Sequence, residues 1–172
     1  MSAHSREPTF REMVRRPHQA IALAFGLGLS PYAPGTAGAL GAIPLFWALS
    51  FLPLPIQLAV LAALIAIASW ASGKTGDDLG EHDHNAIVID ETIGMALTLL
   101  VAPASWTGWL AALILFRVFD IVKPWPVHIP DRQGTSGFAV ILDDILAAGW
   151  AMLILAGWHV LATRWPASAL GM

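Results

Sequence analysis

The segment PHQAIALAFGLGLSPYAPGTAGALGAIPLFWALSFLPLPIQLAVLAALIAIASWASG (17–73) contains no Asp, Glu, Lys or Arg. Over all 172 residues the apolar fraction is 56% and the charged fraction 12%, against about 45–50% and 25% in soluble domains. A long uncharged stretch in so apolar a chain predicts helices that lie in a membrane. Strand-like alternation is absent. We therefore predict an all-α integral membrane helical bundle that forms one domain.

Apolar segments separated by Pro, Gly or Ser predict about four to five helices of the bundle. They cover residues 36–52, 55–71, 86–102, 106–123 and 138–162. Each is close to the roughly 17–25 residues that a spanning helix needs. Residues 18–29 are too few to cross a membrane and predict an interfacial or re-entrant piece. The predicted division is a basic N-terminal arm (1–19), a membrane-embedded domain (20–165) and a tail (166–172).

Acidic residues return in three clusters, at positions that should lie in or at the ends of apolar helices: Asp90 with Glu91, Asp120, and Asp143 with Asp144. Ionisable groups at membrane depth are costly and usually functional. If the loop 72–85 lies on one side, the direction of each following helix brings all three clusters to that side. The sequence therefore predicts a one-sided acidic site. Hard oxygen ligands near Lys and Arg suggest a divalent cation and a phosphate.

Basic residues indicate which side this is. The N-terminal arginines, Lys74, Lys123 and Arg132 belong to the side of the acidic clusters, and Arg164 alone lies opposite. Short cytoplasmic segments carry the excess of Lys and Arg. The site is therefore predicted to face the cytoplasm.

The motif FRVFDIVKPWP (116–126) places Arg117, Asp120 and Lys123 three residues apart, on one stripe of a helix. One interpretation is a helical salt bridge at the membrane surface. The other places Asp120 on a metal ion and directs Arg117 or Lys123 at phosphate oxygens.

Small residues follow the remaining acids by one helical turn: Gly94 after Asp90, Ala147 after Asp143 and Ala148 after Asp144. Such residues allow neighbouring helices to approach closely, so that carboxylates beside them can meet around one ion. The alternative is that acids near helix N-termini only complement the helix dipole.

Two weaker motifs accompany the acids. Gly35 and Thr36 begin a predicted helix, where free backbone N–H groups suit a phosphate, although Gly-Thr turns are also common helix caps. The triplet His82, Asp83 and His84 resembles a metal-binding motif but equally fits a polar loop. We expect His84 to position the metal ligands without binding the ion itself.

These motifs, with SPYAPGTAG (30–38), HDHNAIVIDETIGM (82–95) and LDD (142–144), closely resemble bacterial phosphatidylglycerophosphatase A over roughly residues 20–150. The resemblance implies a magnesium-dependent enzyme of the inner membrane that converts phosphatidylglycerophosphate to phosphatidylglycerol and phosphate. It also implies that Lys123 acts beside the metal ligands, which are Asp90, Glu91, Asp120, Asp143 and Asp144. Ser136 and Ala139 stand where the family usually has glycines.

Elimination from the residues leads to the same chemistry. A chain without cysteine has no disulfide and no cysteine nucleophile, and the motifs of aspartyl-phosphate and histidine-nucleophile phosphatases are missing. Metal-assisted attack by water remains, although an aspartyl intermediate stays open. The alternatives are a CDP-alcohol phosphotransferase-like enzyme, whose signature is absent, and a small ion or proton transporter. No nucleic-acid motif occurs, and the oligomeric state is open.

Overall fold

The computed structural model describes residues 6–129 and 136–164, and every regular element in these ranges is helical. The prediction of an all-α chain is confirmed for this part. The elements are α1 (Phe10–Arg15), α2 (Pro17–Ala22), a 3-10 helix (Ala24–Leu29), α3 (Pro34–Leu49), α4 (Leu54–Leu79), α5 (Ile89–Leu99), α6 (Trp106–Val122) and α7 (Gly137–Arg164).

Two helix boundaries differ from their predictions. The helix predicted for 55–71 does not stop at Ser72-Gly73 but continues to Leu79, where Gly80 ends it with a φ of 79°. Gly73 is instead a packing site, because a Cβ there would lie 3.3 Å from the backbone nitrogen of Gly137. The helix predicted for 86–102 is shorter, because the Val88 N–H donates to the Ala22 carbonyl at 2.9 Å rather than to a helical partner.

Within residues 6–129 and 136–164, two helices are long and apolar enough to cross a membrane: α4 and the Gly137–Thr163 part of α7, each with a mean hydropathy of 2.0. Only 17% of the most apolar 18-residue stretch of α4 is buried inside the protein. Large apolar side chains are exposed on the outer faces of the long helices, among them Trp47, Ile56, Trp70, Ile114, Leu153 and Trp158. These helices therefore present apolar side chains outward as well as inward.

Helix α5 lies at the centre and packs against α3, α4, α6 and α7. Its side chains Ile93, Met95 and Leu99 are fully buried. Gly94 brings the neighbours close, because an added Cβ would lie 2.6 Å from the Phe116 ring and 3.0 Å from the Asp144 carbonyl oxygen. This is the close approach that a small residue one turn after Asp90 predicts. It sets the first turn of α5 beside the start of α7.

Asp78, near the end of α4, binds side chains at the start of α2. Its Oδ2 lies 2.7 Å from Arg16 Nη1, 2.8 Å from His18 Nε2 and 3.1 Å from Gln19 Nε2. The predicted division between 19 and 20 falls inside α2. After α2 the chain turns through Phe25 and Gly26, both with positive φ, and runs along the end of the bundle as the 3-10 helix. Residues 18–29 are therefore ordered against the bundle.

Candidate active site

One cavity of about 690 Å³ collects the acidic clusters. Nearly every residue predicted for the site lines it: Gly35, His84, Asp90, Glu91, Arg117, Asp120, Lys123, Asp143 and Asp144. Thr36 is the exception, being one position further along α3 and outside the lining. The clusters are distant in sequence, so their meeting depends on the packing of α5, α6 and α7.

Several of these side chains reach the cavity from the end of a helix. Asp90 and Glu91 occupy the first turn of α5, and Asp120 the last turn of α6. Lys123 follows as the C-cap of α6, with a φ of 46°. The loop before α5 is held by buried His84, whose Nδ1 accepts a hydrogen bond from the Ala86 N–H at 3.1 Å. The prediction that His84 supports the acids rather than binds the ion agrees with this contact but stays a prediction.

Three carboxylates approach one another closely enough to share a metal ion. Ligand oxygens of Asp90, Glu91 and Asp144 all lie within 4.8 Å of one another. One oxygen of each, Asp90 Oδ1, Glu91 Oε2 and Asp144 Oδ2, is buried without a hydrogen-bond partner. Oxygens bound to one Mg²⁺ at about 2.0–2.1 Å lie roughly 3–4 Å apart, so small side-chain rotations would bring these three onto an ion. The residues present therefore fit a hard divalent cation.

The two other predicted ligands have cationic partners instead. Asp143 Oδ2 lies 2.7 Å from Lys123 Nζ, and Asp120 Oδ2 lies 2.5 Å from Arg117 Nη1. The helical salt bridge considered for FRVFDIVKPWP thus exists between Arg117 and Asp120, whereas Lys123 reaches across to α7. The five acids therefore divide into a three-carboxylate group and two acid–base pairs that border it.

Arg117 and Gly35 form the wall of the cavity opposite α7. Arg117 Nη1 also lies 3.5 Å from Glu91 Oε1, and its Nε is buried without a partner. Gly35 has no side chain to obstruct this pair, since a Cβ there would overlap Glu91 Oε1. The Gly35 and Thr36 N–H groups, in the first turn of α3, have no helical carbonyl partner. The unused N–H group of Gly35 thus lies beside the carboxylates.

Negative charge dominates the cavity. Among the described residues, seven carboxylates line it against two permanently cationic side chains, those of Arg117 and Lys123. A phosphate dianion entering this cavity would be repelled unless additional positive charge were bound there. The charge balance and the unpartnered oxygens therefore both favour a divalent cation.

Three polar lining residues were not predicted as site residues: Glu7, Ser30 and Asn85. Asn85 directly follows the His82–His84 triplet, so its neighbourhood was a usable signal. Ser30 begins the motif SPYAPGTAG, which was a second signal. Glu7 carried none, because it reaches the cavity only through the folding of the N-terminal segment. The triplet itself is divided, with Asp83 and His84 lining the cavity and His82 Nε2 lying 3.6 Å from Asp77 Oδ1.

Ser136, which replaces a glycine usual in the family, has a local structural role. Ser136 Oγ accepts a hydrogen bond from the Ala139 N–H at 3.3 Å, as a helix N-cap does. The retained glycine, Gly137, makes the close contact, because a Cβ there would overlap the Ser69 carbonyl oxygen. Close approach at this turn is therefore present although only one glycine remains.

Comparison with known proteins agrees with the geometry. The family model described as phosphatidylglycerophosphatase A matches residues 20–159. The chain belongs to the phosphatidylglycerophosphatase A family. It is 38% identical over 161 residues to the phosphatidylglycerophosphatase A of Escherichia coli (strain K12), covering 93% of this chain and 92% of that protein. The Haemophilus influenzae phosphatidylglycerophosphatase A is 40% identical over 141 residues, covering 81% and 86%.

A third relative broadens the group. A Bacteroides thetaiotaomicron protein, provisionally named a phosphatidylinositol-3-phosphatase, is 40% identical over 144 residues, covering 79% of this chain and 89% of its own length. No solved structure matches the chain. Membership of the phosphatidylglycerophosphatase A family makes the protein a phosphatase, in place of the phosphotransferase and transporter alternatives.

Proposed function

We propose that this protein hydrolyses the terminal phosphomonoester of phosphatidylglycerophosphate with a divalent cation, Mg²⁺, held by Asp90, Glu91 and Asp144. Family membership supports the substrate. The observation that carries the metal is the set of buried, unpartnered oxygens on these acids. A bound cation would polarise the phosphoryl oxygens and offset their charge. Asp120 and Asp143 stay predicted ligands, which would require release of their basic partners.

The surrounding residues supply the rest of the chemistry. Arg117 offers a planar guanidinium with an unused Nε–H, and the N-terminus of α3 offers the Gly35 and Thr36 N–H groups. Both are suited to phosphate oxygens. During hydrolysis the oxygen of water bonds to phosphorus as the bond from phosphorus to the glycerol oxygen breaks. The proton released by water is replaced on the leaving oxygen by protonation, so that the products are a free hydroxyl and inorganic phosphate.

Lys123 has two candidate contributions. Its Nζ lies 2.7 Å from Asp143 Oδ2, which fixes the ammonium at the edge of the cavity. From there it is placed to offset charge that develops on the phosphoryl group. An ammonium does not bind a cation, so Lys123 acts on the substrate or through Asp143.

The metal requirement is tested with purified protein in detergent. We expect no phosphate release from phosphatidylglycerophosphate in EDTA and full recovery on adding Mg²⁺, because the charged cavity excludes phosphate without a cation. Direct binding of Mn²⁺ as a paramagnetic substitute gives a second measurement that is independent of turnover. Full activity in EDTA, with no bound metal retained, would contradict the metal site.

We also propose that the bundle is embedded in the bacterial inner membrane with the cavity facing the cytoplasm. The exposed apolar side chains of α4 and α7 support a lipid environment. The basic residues near the cavity end support its cytoplasmic orientation. A bilayer next to the cavity would let a lipid substrate reach the acids without leaving the membrane.

Single cysteines test the orientation, since the chain has none of its own. Tyr32, 85% exposed, precedes α3 at the cavity end, and Trp106, 77% exposed, begins α6 at the other end. In intact cells we expect an impermeant maleimide to label Trp106→Cys and to spare Tyr32→Cys until the membrane is permeabilised. The reverse pattern would place the cavity on the outer side.

A further inference from the structure

A second cavity, of about 450 Å³, lies between the 3-10 helix, α3, α4 and α5. We refer to it as the apolar groove. It is lined almost wholly by hydrocarbon, including Phe25, Leu27, Pro44, Ile67, Ile89 and Ile93. Its volume is within the about 300–1,000 Å³ usual for ligand sites.

The groove offers nothing to a polar ligand. The one hydroxyl among its lining residues is that of Thr92, whose Oγ1 lies 2.8 Å from the Gly38 carbonyl oxygen and 3.0 Å from the Val88 carbonyl oxygen. The donor is therefore already used inside the protein. A hydrocarbon occupant suits such a lining, because it leaves no buried polar group unpaired.

The apolar groove and the acidic cavity are neighbours. Consecutive residues of the 3-10 helix line them, Leu27 the groove and Gly28 the cavity. On α5, Ile89 lines the groove and Asp90 the cavity. Gly28 packs directly on the loop before α5, because a Cβ on Gly28 would overlap the Ala86 carbonyl oxygen.

We propose that the apolar groove receives an acyl chain of the substrate while the terminal phosphate occupies the acidic cavity. The inference rests on the proposed function, which requires a ligand with a charged head and hydrocarbon chains in one molecule. Two adjoining cavities, one acidic and one apolar, with a shared wall at residues 27–28, match that ligand. The groove therefore contributes recognition of the diacyl lipid over the headgroup alone.

Filling the groove tests this. The three atoms nearest to a Cβ added on Gly41 all belong to side chains: Leu27 Cδ1, Thr92 Oγ1 at 3.8 Å and Leu27 Cγ at 3.9 Å. Gly41→Leu should therefore push the end of Leu27 into the groove without disturbing the backbone. Ile67, 45% exposed at the rim, gives a second filling variant, Ile67→Trp. The matched control is Gly157→Leu on α7, where an added Cβ has nothing within 4 Å.

The measurement is kcat/KM for diacyl phosphatidylglycerophosphate in mixed micelles and for its deacylated, water-soluble headgroup. The ratio of interest is kcat/KM for the diacyl lipid divided by kcat/KM for the headgroup. We expect both filling variants to lower this ratio by about tenfold, which corresponds to roughly two methylene groups losing their burial. Gly157→Leu should leave the ratio at its wild-type value.

Three results would overturn the inference. An equal loss on both substrates would show that the variants act through packing of the acidic cavity. An equal change in Gly157→Leu would show a general effect of the lipid-facing surface. A fall in the ratio for Gly149→Leu alone, which lines a shallower apolar groove along α7, would place the chain there instead. Absence of phosphate release by the wild-type protein from either substrate would instead refute the proposed function, and the inference with it.

Discussion

Asp144→Asn and Asp90→Asn are each expected to lower the rate of phosphate release by about 10²–10³-fold. Asparagine keeps the size of the side chain but replaces one carboxylate oxygen by an amide nitrogen, which cannot bind a cation. Both acids are more than nine-tenths buried, and each has a buried oxygen without a hydrogen-bond partner. Loss of one ligand should therefore weaken metal binding as well as turnover.

Phosphate release as a function of Mg²⁺ concentration measures this, together with binding of Mn²⁺. Asp77→Asn is the matched control, because the Asp77 side chain is 73% exposed and does not line the cavity. It should leave both the rate and the metal requirement unchanged. If Asp144→Asn kept the wild-type dependence on Mg²⁺ concentration, Asp144 would not be a ligand of the metal ion.

The paired acids should behave differently from these two. Asp143→Asn removes the carboxylate charge beside Lys123, and Asp120→Asn removes the nearer of the two carboxylates beside Arg117. We expect their turnover to fall with a smaller change in the Mg²⁺ concentration for half activity. An Mg²⁺ shift as large as that of Asp144→Asn would show that a paired acid also binds the ion.

Gly35→Ala is expected to lower turnover by about 10²-fold while leaving the fold intact. The added Cβ would overlap Glu91 Oε1 and lie 2.9 Å and 3.0 Å from the two terminal nitrogens of Arg117. The Glu91–Arg117 pair would have to move, and with it one carboxylate of the metal site. The helix itself should gain, since alanine is a better helix former than glycine by about 1 kcal/mol.

Rates of phosphate release and the thermal unfolding midpoint in detergent separate these effects. Gly149→Ala is the control, because a Cβ at that helical glycine has nothing within 4 Å. Both variants should unfold at or above the wild-type temperature, and only Gly35→Ala should lose activity. Retained activity in Gly35→Ala would show that the Glu91–Arg117 arrangement is not needed.

The sequence alone determined the helical class and predicted acids that line one cavity in the structure. Hydrophobic composition and the exclusion of charge depend on the solvent of each segment, so they can be recognised without knowing which segments touch. The boundaries of α6 and α7 were predicted within a few residues, because Ser105 and Ser136 cap their N-termini and the ends are marked by local residues. The sequence motifs that contain the acids were likewise recognised from neighbouring residues in the sequence.

Tertiary structure decided which partners these acids have. Two neighbouring aspartates on α7 have different partners, Asp143 bound to Lys123 and Asp144 facing Asp90 and Glu91, because adjacent helical residues point about 100° apart toward different helices. Ser72-Gly73 likewise resembled a stop signal, but Gly73 contacts Gly137 at the start of α7, which only the packing of the two helices reveals. The position of Glu7 in the acidic cavity and the formation of the apolar groove both depend on how the N-terminal segment packs on the bundle. Contacts between residues distant in sequence have no local signature, so only the packed bundle could show them.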